Sequence, residues 1–256
     1  MATAADGTNL LLGKGKLYLD RLTALGVSTG ERFVGACNSL GISVEVESKQ
    51  AYSSAEASAP LLQEAIIRQT HIVAIAMSEY TADNLALFLL GTKSTLDETG
   101  SSSSDESHAS VHQGTYVKLL HRNVKTTSPA AVVKVGITTK TAGTDYVMDC
   151  ASGRVYIVPG GGIAENATIL VTYTWLTESL TKITAGAVGK IEAMIRFVGD
   201  PTAGPALELE VWRVSLTPDG ELGLISDDYG EFKFKAKILS DATAHPTDPY
   251  YRLIEL

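Results

Sequence analysis

Hydrophobic and polar positions alternate most regularly between Ile191 and Asp241. Ile191, Ala193, Ile195 and Phe197 alternate with Glu192, Met194 and Arg196, the period of a strand with one covered face. Leu207–Leu216 starts with Leu207, Leu209 and Val211 inward and then changes phase to Trp212, Val214 and Leu216. That phase change predicts a β-bulge near Val211. A turn (Pro218-Asp219-Gly220) and an acidic loop (Asp227–Gly230) lead to Phe232, Phe234, Ala236 and Ile238, which alternate with Lys233, Lys235 and Lys237. Three such runs joined by reverse turns predict an antiparallel meander.

The N-terminal half reads as more strands and one helix. Leu17 and Leu19 mark a short strand within Leu10–Arg21. The preceding Gly13-Lys14-Gly15 lacks the spacing and hydroxyl residue of a phosphate loop. Phe33–Glu47 reads as a strand pair bent at Gly35 and Gly41, with Ile42, Val44 and Val46 as a half-buried face. Ser48–Glu64 has no periodicity, and a seventeen-residue loop inside a compact domain is usually functional or mobile. Arg68–Glu79 is apolar on both faces, which predicts cover on both sides, with His71 as a satisfied structural histidine. Thr81 caps a helix with Asp83 in its first turn and Gly91 past its end. Ala82, Leu85, Ala86, Phe88, Leu89 and Leu90 leave that helix almost no polar face, so it must pack against a sheet and a second element.

Residues 99–110, with Ser101–Ser104 flanked by acidic residues, read as a solvated linker. Beyond it come short β-rich runs at Tyr116–Leu120, Ala131–Ile137, Tyr146–Asp149, Arg154–Val158 and Thr168–Trp175. Turn signals, among them Thr127-Ser128-Pro129, separate them. The expected organisation is a core of residues 1–98 and 176–256 with a small all-β module, 111–175, inserted into it.

Composition narrows the function. With 256 residues, 45% hydrophobic and 20% charged, the chain has material for a real core. A net charge of -8 argues against a basic surface that grips nucleic acid, though not against DNA passing by. Met1–Asn9 is neither basic nor apolar, so no secretory signal is expected, and no apolar run is long enough for a bilayer. Cys37 and Cys150 are far apart without metal-ligand spacing and read as isolated thiols. His108-x3-His112 has no third ligand nearby. Glu45/Glu47 and Glu208/Glu210 each lie on one strand face; such pairs serve glycosidases, but the wet face of an amphipathic strand accounts for them more simply. The alternating Lys233, Lys235 and Lys237 read as a solvated face or as edge protection. With no nucleophile elbow or dinucleotide fingerprint, no enzyme, metal or cofactor is expected.

The chain resembles the major tail-tube proteins of long-tailed bacteriophages. The elements that carry the likeness are Leu12-Gly13-Lys14-Gly15-Lys16-Leu17-Tyr18-Leu19, the strand–loop–strand of Ile42–Glu79, and Thr81–Leu87. Leu209-Glu210-Val211-Trp212-Arg213-Val214 and Phe232–Asp241 complete it, so it covers roughly residues 10–92 and 176–256. The resemblance implies a mainly β fold: an antiparallel β-sandwich or barrel with one flanking α-helix, here with the inserted module. It also implies a virion structural protein, made and assembled in the host cytoplasm, whose six-membered rings stack into the tube through which DNA is ejected. Its partners would be itself, the tape-measure and tail-terminator proteins, and DNA passing without specific binding; no membrane is involved. Within this frame Tyr52, Glu56, Leu61 and Leu62 in Ser48–Glu64 are the expected inter-ring contacts. Glu45, Glu47, Glu208 and Glu210 are the candidate lumen-facing residues. Related secretion-tube proteins share this core. The alternative from another class is a β-sandwich binding module for a carbohydrate or cell-surface ligand, centred on Tyr146–Trp175.

Overall fold

The computed structural model describes residues 10–127 and 129–256. The expectations for Met1–Asn9, and for Ser128 within the turn at 127–129, lie outside these residues. The chain is mainly β and divides into two compact units, residues 1–94 with 183–256, and residues 95–182.

In the first unit the strands are β1 (Gly15–Arg21), β2 (Arg32–Phe33), β3 (Cys37–Tyr52) and β4 (Leu61–Met77), followed by α1 (Ala82–Phe88). β5 (Thr92–Glu98) runs across the first boundary into the second unit. There β6 (Ser101–Val111), β7 (Tyr116–Lys118), β8 (Val132–Val135), β9 (Thr138–Thr139), β10 (Tyr146–Asp149), β11 (Arg154–Ile157) and β12 (Ala167–Trp175) follow. β13 (Glu178–Thr184) pairs with β5, and β14 (Ile191–Gly199), β15 (Leu207–Pro218), β16 (Phe232–Ile238) and β17 (Tyr251–Glu255) complete the first unit.

Among the described residues, the first unit is built on one eight-stranded sheet in the order β2-β1-β14-β15-β16-β4-β3, with β17 added beside β15. The pairings along it are antiparallel, and β14-β15-β16 form the expected meander. Opposite the Ala193–Ile195 step of β14, β15 runs from Val214 to Val211, so it carries one extra residue. That bulge lets Leu209, Val211, Val214 and Leu216 all reach the core despite the phase change. Leu17 and Leu19 of β1 line the same apolar space as Ile75 and Met77 of β4, four strands away. The sheet therefore curls around its core but stays open, so the expected antiparallel, mainly β character holds while the barrel form of the expected sandwich or barrel does not.

Thr81 accepts a hydrogen bond from the Asn84 backbone N–H at 3.2 Å and caps α1. The helix lays Leu87 and Phe88 on the core, and Phe88 packs against Phe232 and Phe234. Its end is a Schellman motif: the Gly91 N–H donates to Ala86 O at 2.7 Å and the Leu90 N–H to Leu87 O at 3.2 Å. Leu90, not Gly91, adopts the left-handed conformation (φ 47°). Gly91 is needed for another reason, since a Cβ there would overlap the Thr184 carbonyl oxygen.

Among the described residues the second unit holds two sheets, β10-β11-β7 and β6-β12-β8-β9, with most of the β5-β13 pair beside them in the chain. Val133, Val155, Ile157, Ile163, Ile169 and Val171 fill its core with Tyr146, Tyr173 and Trp175. The Ser-rich segment read as a linker is therefore a strand. β6 is an edge strand that pairs only with β12 among the described residues, so its backbone is satisfied on one side while most of its serines face water and Glu106 turns inward to accept from the Tyr173 hydroxyl and the Leu120 N–H. Cys37 and Cys150 are both free.

Candidate assembly surface

The longest elements of the first unit are β3 and β4, which pair from Cys37↔Met77 outward to Tyr52↔Leu61. At the root of this hairpin Val73, Ile75 and Met77 of β4 are buried in the core, with Leu40 of β3 against them. Ile72 and Ala76, on the opposite face of β4, are also buried while Ala74 between them is exposed, so the expected cover on both sides holds only in part and only at this root. Farther out, Ile42, Val44 and Val46 continue the core-facing side on β3, and Ile66 joins them beyond a bulge. All four are exposed, which corrects the half-buried face expected for Ile42–Val46. β3 has β4 as its only strand neighbour among the described residues, so its outer edge is unpaired.

The expected loop Ser48–Glu64 is mostly strand. Residues 48–52 and 61–64 continue the ladder, and only Ser53–Pro60 turns, closed by the Ser53 N–H on Pro60 O at 2.9 Å. Tyr52 and Leu61 stand directly opposite one another at the end of the ladder. Leu62 is the extra residue of the last bulge, and Glu56 sits in the turn, where its carbonyl accepts from the Ala59 N–H. The four expected contact residues thus gather at one hairpin tip, all exposed. Sequence reading missed a small polar lock beside them. Ser48 Oγ and Gln50 Nε2 donate to Glu64 Oε1 at 2.5 and 3.3 Å, and the Tyr52 hydroxyl donates to Gln50 Oε1 at 2.5 Å. The Ser48 bond, then the Gln50 bond, holds the Glu64 carboxyl below its ordinary range.

Register places Glu45 and Glu47 of β3 and Glu208 and Glu210 of β15 on the same, non-core face of the sheet. They do not form an acidic strip. Glu47 lies 3.4 Å from Arg68, Glu208 lies 3.5 Å from Arg196, and Glu210 is paired with Arg252. Several cations on this face are engaged too: Arg196 with Glu31, Arg213 with Glu192, Lys233 with Glu231 and Lys235 with Asp219. Surface ion pairs of this kind add little to stability, because water screens them. Among the described residues Glu45 and Lys237 have no ion-pair partner on this face.

The other residues singled out in the sequence have local partners or lie in a core. His71 stacks on Tyr250 with centroids 4.6 Å apart, while its buried Nδ1 has no hydrogen-bond partner among the described residues, so it is structural but not fully satisfied. His108 pairs with Glu106 and His112 with Glu165, at 2.8 and 2.5 Å. No cluster with the makings of a metal site occurs among the described residues. Tyr146 and Trp175, the poles of the alternative binding module, are buried in the core of the second unit.

Residues 10–252 match the model of the family described as "Protein of unknown function UCP028589", and the chain belongs to that family. No curated protein matches the chain.

Proposed function

We propose that this family member is the subunit of a phage-type tail tube, assembling through its own copies into six-membered rings that stack into a conduit for DNA. The observation that carries the reading is the β3–β4 hairpin. It extends the core-facing side of an open sheet, with Ile42, Val44, Val46 and Ile66 uncovered and the β3 edge unpaired. An exposed apolar edge of this length is an aggregation hazard in a monomer and an asset in an assembly. The hairpin tip with Tyr52, Glu56, Leu61 and Leu62 would meet the next ring. The opposite face, with Glu45, Glu47, Glu208 and Glu210, would line the lumen. There the paired charges and the net charge of -8 would let phosphates pass unheld.

Negative-stain imaging and sedimentation of the concentrated full chain test the reading. Six-membered rings or tubes are the expected result, and a chain that stays monomeric at high concentration would overturn it.

One observation favours a second reading, in which the second unit binds carbohydrate. Exposed Tyr116 and half-buried Tyr156 form a cross-strand pair with centroids 5.0 Å apart, and the Arg154 guanidinium lies over Tyr116 at 4.8 Å. Sugar rings stack on such aromatic surfaces. Glycan binding lost in Tyr156→Ala would support this reading, and no binding across a broad glycan panel would remove it.

A further inference from the structure

The loop between β15 and β16 presents three large apolar side chains almost wholly to solvent: Leu224, Ile225 and Tyr229, at 81, 98 and 99% exposure. Asp227 and Asp228 lie between them. The loop is not loose at its base. Leu222 packs against the core, the Tyr80 hydroxyl donates to Gly223 O at 3.2 Å, and a Cβ at Gly230 would overlap that same Tyr80 hydroxyl. A firmly rooted loop that exposes this much apolar surface beside two carboxylates has the form of a docking element.

The same unit contains a complementary receptor. Arg21, Arg32 and Lys93 line a cleft of about 300 Å³ whose floor is Leu19, Ala86 and Leu87. Lys93 is held by Asp83 at 2.9 Å, but among the described residues no carboxylate pairs with Arg21 or Arg32. Arg32 is nonetheless fixed in place. Its Nη2 donates to Asn84 Oδ1 at 2.8 Å, and the wholly buried Asn84 is itself locked by donating to Val34 O and Glu79 O. In a chain with 29 acidic residues against 21 basic ones, two half-buried arginines without a carboxylate over an apolar floor form an incomplete site.

We propose that the Leu224–Tyr229 loop of one copy docks into this cleft of a second copy. Asp227 and Asp228 would meet Arg21 and Arg32, and an apolar side chain of the loop would cover Leu19 and Leu87. This rests on the self-assembly reading and names a contact for it. The pairings Arg21↔Ala193, Ile191↔Leu216, Pro218↔Phe234 and Phe232↔Met77 place loop and cleft at the same end of the sheet. They lie on different strands, β15–β16 for the loop and β1–β2 for the cleft. A contact between two different surfaces is head-to-tail, which generates rings or strings rather than a closed pair.

Sedimentation velocity of the full chain over a concentration series tests this, with Asp227→Arg/Asp228→Arg, Arg21→Asp/Arg32→Asp and the combination of all four. Each reversal is expected to weaken association by about tenfold or more, with the combination regaining most of the loss. Rising salt should weaken the wild type. The loop variant changes only exposed residues, so it keeps the test sound if loss of the Arg32–Asn84 bond disturbs the fold. A wild type that associates while the loop variant associates equally well overturns this contact and leaves the ring reading standing. A wild type that remains monomeric overturns both.

Discussion

Val44 and His71 face each other across the β3–β4 hairpin, and the covered part of the sheet ends between them. His71 lies under Tyr250 and meets Tyr251 edge-on, whereas Val44 is 46% exposed. One cross-strand pair thus marks where the fold's own core stops and a surface without a partner in the monomer begins. Val44→Ser/Val46→Ser is expected to change unfolding free energy by no more than about 0.5 kcal/mol per site, since both positions are exposed. It should also abolish higher assemblies. Denaturant melts and electron micrographs of the same preparation check the two halves; unaltered tubes would reject the assembly role of this face.

The same hairpin shows where the sequence was legible and where it was not. Period-2 alternation arises from burial on one face, and it revealed β14, β15 with its bulge, and β16, where Phe232, Phe234, Ala236 and Ile238 are all buried. Residues 48–52 and 61–64 are exposed almost throughout, so burial left no pattern on them although they pair with one another along the ladder. β6 was hidden for the same reason: an edge strand of serines and acids needs only one neighbour. The tip residues Tyr52 and Leu61 were identifiable as a group, but the pairing of Glu47, Glu208 and Glu210 with arginines was not, because Arg68, Arg196 and Arg252 reach them across strands.

Gly91 was legible as a helix stop, and the structure adds a steric demand. Gly91→Ala is expected to destabilise the first unit by about 1–3 kcal/mol, because the Thr184 carbonyl must move to admit the methyl group. Thermal or urea unfolding measures it. A loss below about 0.5 kcal/mol would show that the chain around Thr184 yields freely.

Acid should weaken the second unit in particular. Arg154, then Ser152, holds the Asp149 carboxyl at about 2. Asp105 beside Lys134, Asp145 under the Thr141 N–H and Glu165 under the Gln113 N–H are also held below their ordinary range. Their unfolded values lie near about 4. Groups depressed on folding contribute fully above the unfolded value and lose that contribution as pH falls through the folded one. The melting temperature of this unit should therefore be flat above pH ~5 and fall from about 4 towards 2. Trp175 fluorescence in Trp212→Phe reports this unit. Asp149→Asn should flatten part of the slope, and an unchanged slope would mean the Arg154 contact is not made in solution.

The charge pairs on the non-core face predict how the protein treats DNA. Glu208→Gln/Glu210→Gln would release Arg196 in part and Arg252. The variant should be retained on immobilised DNA at low salt and elute by about 0.2 M, as counterion competition requires, while the wild type passes through. Equal passage of both would mean that this face does not meet phosphate.

The hairpin tip carries the last prediction. Ser53 and Pro60 already close the ladder through the Ser53 N–H, and the six residues between them add no core contact. Ala59 within this turn is held at a positive φ of 42°, a conformation that costs an L-residue about 1 kcal/mol. Replacing residues 54–59 with Asn-Gly gives a two-residue turn whose twist matches the flanking strands. Folding should be preserved or slightly improved, and rings should still form, because Val44, Val46 and the β3 edge are untouched. Stacking should be lost, because Glu56 and the rest of the turn beyond Tyr52 and Leu61, the part that reaches furthest towards the next ring, are gone. Sedimentation would then show rings without tubes; tubes of normal length from this variant would remove the tip from the stacking contact.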